Sequence, residues 1–179
     1  MRTTIQLCAV LLIFGCSEVK QQPEKKYFPI STFLKAEIHT LRENKSALTK
    51  TIRQHNRSET RSVSTPDWEN ELKPFFEAAI DKPAWKNSYL CDTSGNDPNM
   101  VISYTTNNKK APVKLMRISY LNNRVHTIFI RFEKSNAWFY LKQQLTFQSN
   151  AGYTIDSEQK MTLSAPTIYN ISAKFGKYE

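Results

Sequence analysis

The sequence predicts an α+β fold in which N-terminal helices pack on a curved antiparallel meander sheet of six to seven strands, a roll or half-barrel. Three observations lead there. From Ile30 to Leu41, and again from Trp68 to Ile80, apolar residues recur at three- and four-residue spacing, the period of a helix with one buried face. After Trp85 the period falls to two, and it stays there to the end of the chain. The joints between those alternating runs are short, whereas a parallel crossover needs about a dozen residues or more, so successive strands pair antiparallel.

Taken in order, the chain begins with Arg2 and an apolar run from Ile5 to Phe14, broken only by Gln6 and closed by Gly15-Cys16. A membrane-spanning helix needs about 20 apolar residues and this run has about half of that, so it reads as a secretory signal. Its last residues, Leu12-Ile13-Phe14-Gly15-Cys16, resemble the lipobox of bacterial lipoproteins. The resemblance implies removal of residues 1–15 and conversion of Cys16 into a lipid anchor, with diacylglycerol on sulfur and an acyl chain such as palmitate on nitrogen. Several chains at ~0.8 kcal/mol per buried CH₂ give stable attachment where one alone would be marginal. Ser17 follows the cysteine in place of the Asp that would resemble an inner-membrane retention signal, which points to an outer-membrane lipoprotein facing the periplasm or the cell surface. A signal cut elsewhere, or an uncleaved anchor, is the other reading of the same residues. The chain as a whole is similar to small envelope lipoproteins of Bacteroidetes-type bacteria, a resemblance that implies a location and no activity.

The expected organisation is a signal peptide over 1–15, a lipidated cysteine and tether over 16–28, and a single domain over 29–179. Residues 17–27 are polar, hold Pro23 and have almost nothing to bury. The 164 residues left after the signal suit one compact domain. Arg2 is the only charge lost with the signal, so 24 basic residues face 16 acidic ones. That excess favours anionic lipid or glycan partners, and equally serves solubility. The basic residues are scattered, with no arm of like charge, and nucleic acid is not an expected partner of an exported protein.

Ile30, Phe33, Leu34, Ile38 and Leu41 predict an amphipathic helix over about Thr32 to Asn44, capped by Ser31, with His39 at the flank of its buried stripe. From Ala47 to Ser64 a weak alternation predicts two polar strands about a turn near His55–Ser58. On strands Arg53, Arg57 and Arg61 would share one face, either a contact for an anionic partner or a charged edge that resists aggregation. Thr65 and Pro66 then open a second helix, whose stripe of Trp68, Leu72, Phe75, Phe76, Ala79 and Ile80 is expected in the core. Pro74 should kink or split it after Leu72.

The strands that follow are predicted over 86–92, 100–106, 113–121, 124–133, 138–148, 153–163 and 167–175. His126, Ile128, Ile130 and Phe132 oppose Val125, Thr127, Phe129 and Arg131, so both faces of that strand carry apolar residues. The element order is similar to that of lipoprotein carriers and of cystatin-like and nuclear-transport-factor-like rolls.

Cys8 leaves with the signal and Cys16 takes lipid, which leaves Cys91 unpaired, expected buried as a small hydrophobe or else a route to a dimer. No pair of His or Cys stands at zinc spacing, so no metal and no cofactor is predicted. Asp92–Asn99 carries oxygens in the manner of a calcium loop but lacks its closing glutamate, and reads as a turn. The expected function is a non-catalytic binding or structural role in the envelope, with an apolar, glycan or protein partner. Its ligand face would hold Tyr120, Trp138, Tyr140 and His126. The alternative is an enzyme with a cryptic site formed by His126 and a carboxylate on a neighbouring strand.

Overall fold

The computed structural model of the chain describes residues 26–176, so the signal, Cys16 and most of the tether lie outside the described residues. The fold is α+β, dominated by one open antiparallel sheet of nine strands, two or three more than the alternation predicts. Helix α1 covers Ile30–Glu43, and the hairpin β1 (Ala47–Gln54) and β2 (Arg57–Val63) follows. Helices α2 (Trp68–Glu71) and α3 (Lys73–Glu77) lead to a 3₁₀ turn at Pro83–Trp85. The meander is β3 (Leu90–Asn96), β4 (Asn99–Thr105), β5 (Val113–Leu121), β6 (Arg124–Ser135), β7 (Phe139–Gln148), β8 (Gly152–Met161) and β9 (Thr167–Gly176). Strand order is β2-β1-β9-β8-β7-β6-β5-β4-β3, so the early hairpin extends the meander at its β9 edge.

Local chemistry explains the helical segments. Four buried residues, Ile30, Leu34, Ile38 and Leu41, line one face of α1. It starts at Pro29 with no side-chain cap, so Ser31 does not cap it. It ends in a Schellman turn: the Ser46 amide donates to Leu41 and the Lys45 amide to Arg42, with Lys45 at positive φ. The second helix splits at Leu72, where Pro74 takes an early position of the next turn. Asp67, rather than Thr65, caps it by accepting from the Asn70 amide at 3.2 Å.

Both helical segments lie on one face of the sheet. Their apolar stripes meet Met116, Ile118, Ile128, Ile130, Leu145 and Phe147, all fully buried. Phe75 stands edge-on to both Phe147 and Tyr153 at 5.9 Å, which locks α3 to β7 and β8. A register shift of β6 against β5 leaves His126 without a β5 partner and pairs Val125 with Tyr120. Val125 thereby packs against the core while Thr127 faces away, so the far face is less apolar than strict alternation implies. Gly152 admits no side chain: a Cβ there would stand 2.0 Å from the Ala173 carbonyl oxygen.

Three expectations need correction. Cys91 is exposed, because β3 is an edge strand beyond the reach of the helical layer. The arginines do not share a face: Arg53 pairs with Ser58, while Arg57 and Arg61 stand opposite Gln54 and Lys50 on the other side. The tight turn at His55-Asn56 sets that register. The strand expected over 86–92 starts four residues later, since the Tyr27 hydroxyl holds the Lys86 carbonyl at 3.0 Å and accepts from the Tyr89 amide at 3.2 Å.

Burial pushes the phenols of Tyr89 and Tyr104 up from 10.0 to about 12. Because the folded values exceed the unfolded one, the stabilisation linked to them is complete below pH 10 and is lost as pH rises towards 12. Urea unfolding across that interval should therefore show stability falling with pH, and a flat profile would contradict the burial of these two rings.

Candidate functional site

The long strands outrun their helical cover. Along the inner face, burial is complete at Ile130, Leu145 and Ile155 and is lost towards Leu141, Gln159 and Met161, so this end of β7 and β8 stands uncovered. At this end β5 begins opposite Phe132, and β6 continues past it to Ser135 with no β5 partner. The connection from β4 to β5 passes alongside, with the Glu133 amide donating to the Pro112 carbonyl at 2.7 Å.

The step between those edges opens a notch of about 930 Å³. Five ammonium groups line it, from Lys82, Lys109, Lys110, Lys114 and Lys134, against the carboxylates of Glu77 and Glu133. The surplus is three positive charges at one place. Lys114 is committed to the local backbone, donating to the carbonyls of Ala111 at 2.7 Å and Lys109 at 3.0 Å. None of the ion pairs among the described residues involves a notch lysine. Trp85, Phe132 and Tyr140 supply aromatic walls. Cationic groups beside aromatic faces suit an anionic ligand with an apolar part.

The four residues expected to form one ligand face divide into two pairs. Tyr140 lines the notch, and Trp138, 74 % exposed, sits two residues away at the β6–β7 turn. Tyr120 and His126 lie by the β5–β6 turn at the opposite end of the sheet, about 30 Å away at the rise of a β-strand. There Tyr120 packs inward against the core, and burial raises its phenol above its ordinary value. His126 is exposed at the bulge and makes no ion pair with a carboxylate among the described residues. The acidic residues go elsewhere: register sets Lys142 between Glu133 and Glu158, and Asp156 accepts from Asn170. Asp92–Asn99 forms the β3–β4 hairpin, and no group of three metal-ligating side chains occurs among the described residues.

Sequence reasoning missed the notch because its lysines come from three segments whose spacing along the chain has no period. It also missed a polar clasp on the inner face. Tyr153 donates its hydroxyl to Glu71 Oε2 at 2.6 Å, and Lys50 donates to the same oxygen at 2.7 Å. Burial first, and then Glu71, push the Tyr153 phenol above its usual range, so it stays a donor. The clasp ties α2 to β1 and β8 and is structural in form.

No protein-family model matches the chain, and no curated protein or solved structure matches it.

Removing the clasp's shared acceptor strands two donors in a half-buried place. Glu71→Ala should lower unfolding free energy by about 2 kcal/mol in urea denaturation, in line with hydrogen bonds to charged groups; an unchanged midpoint would show the clasp to be solvated.

Proposed function

We propose that the chain is an outer-membrane lipoprotein, acylated at Cys16, whose folded domain has a non-catalytic binding role in the cell envelope. Its sheet is read as a half-barrel curled around the helices, in the manner of lipoprotein carriers and cystatin-like rolls. The observation that carries the binding role is the notch, where five lysines and three aromatic side chains face one space. A ligand matched to it carries negative charge beside an apolar or ring portion, as anionic lipids and acidic glycans do.

The start of the packed domain supports the anchoring. Tyr27 is the first buried residue described, and it lies eleven residues beyond Cys16. Fully extended, those residues span at most about 40 Å, which keeps the domain within one molecular diameter of the membrane that holds Cys16. No helix among the described residues is long and apolar enough to cross a membrane. The acyl chains would provide the attachment.

Cys16→Ser should abolish incorporation of a fatty-acid analogue and move the protein from the membrane to the soluble fraction. Undiminished labelling of that variant would remove the lipoprotein reading.

A further inference from the structure

The uncovered end of the sheet gathers more than the notch. Eight large hydrophobic residues are exposed among the described residues, and the five most exposed are Leu163, Trp138, Leu90, Met161 and Ile168. All five sit at or within two residues of this one end. Leu90 opens β3, Trp138 occupies the β6–β7 turn, Met161 closes β8, Leu163 lies in the β8–β9 turn, and Ile168 is the second residue of β9. The two turns touch: the Thr162 amide donates to the Trp138 carbonyl at 3.1 Å, and the Thr162 hydroxyl to Ala137 at 3.0 Å.

The N-terminal segment reaches the domain at the same end. Lys26 donates to Asn87 at 3.0 Å, and the ring of Tyr27 stands edge-on to both Tyr89 and Tyr104 at 5.7 Å. From there a chain of contacts leads to the notch, through the Thr106 hydroxyl bound to Ser88 and the Lys109-Lys110 turn behind it. Exposed apolar tips, a ring of ammonium groups and the arriving N-terminal segment thus share one edge of the molecule.

We propose that this end of the domain docks on an anionic lipid bilayer. Trp138, Met161 and Leu163 enter the interfacial region, and Lys109, Lys110 and Lys134 contact phosphate-bearing headgroups. Tryptophan prefers that depth because its ring is apolar and its N–H stays wet, and flexible lysine stems keep their charges at the surface. The inference rests on the anchoring at Cys16 for its setting, since a leash that arrives at this end presents it to the membrane. The acyl chains hold the domain at the membrane, and the surface then binds at the high effective concentration that this tethering gives.

The chain from Ser17 to Glu179 keeps all nine strands and every described core residue, and it lacks the acyl group, so its binding reports on the docking face alone. It should co-sediment with vesicles of phosphatidylcholine and phosphatidylglycerol at low salt, and release as salt rises. Lys109→Glu with Lys110→Glu should weaken binding at least about twentyfold, because neutralising each lysine alone is worth roughly fivefold. Trp138→Ser with Leu163→Ser should weaken it as well, and circular dichroism should be unchanged since both side chains are exposed. Reversal of Arg124 and Lys174, at the far end, should leave binding unaltered. Failure to bind anionic vesicles, or an equal loss from the far-end reversal, would overturn the docking face. Neither result bears on the Cys16 labelling, so the two readings fail separately.

Discussion

A nine-stranded open sheet must keep one face dry, and few of the described residues are helical and able to do it. That shortage governs the architecture. Helix α1 and the split pair α2 and α3 are placed over the rows that contain Ile128 and Ile130, where their stripes bury six sheet residues completely. Packing of this kind carries most of the stability of short helices, which are marginal alone. Strands of ten to twelve residues extend beyond the cover, and what lies past it meets solvent.

The two ends of the sheet differ for that reason. At one end the turns are tight and polar, with Asn122, Asn123 and Asn150 at positive φ. At the other the β4–β5 and β8–β9 connections are longer, the strands stop at unequal heights, and apolar and cationic side chains stand exposed together. An exposed apolar group rimmed by charge is the pattern of a surface that meets something. The same end holds the aromatic clasp around Tyr27 that fixes where the N-terminal segment joins the body. Arrival of the chain and readiness to bind are thus one structural feature.

How much of this the sequence reveals depends on the range of each cause. Strand β5 is legible to the residue because alternation and turn chemistry both act locally, and the break of the second helix follows from Pro74 alone. Strands β1 and β2 are weak in the sequence because only the start of β1, at Ala47 and Leu48, is buried under the helices, and the rest need not be apolar on either face; the docking of β1 on β9 is a long-range event. The bulge at His126 reverses the inside and outside of Val125, which strict alternation cannot foresee. For the site, Trp138 and Tyr140 stand near the notch as aromatic signals, whereas Tyr120 and His126 belong to the other end. The lysines meet only because three distant segments fold onto one edge, and composition shows their number without their place.

Depth-dependent quenching tests the orientation of the domain most directly. The acylated protein carrying Trp85→Phe, so that the notch tryptophan does not contribute, is reconstituted into anionic vesicles whose acyl chains carry bromine near the headgroup; it should lose tryptophan fluorescence through Trp138, while Trp68, 2 % exposed in the core, is spared. Trp138→Phe should remove most of that quenching. Quenching that persists undiminished in Trp138→Phe, or none in the unaltered protein, would mean that the uncovered end of the sheet does not face the bilayer.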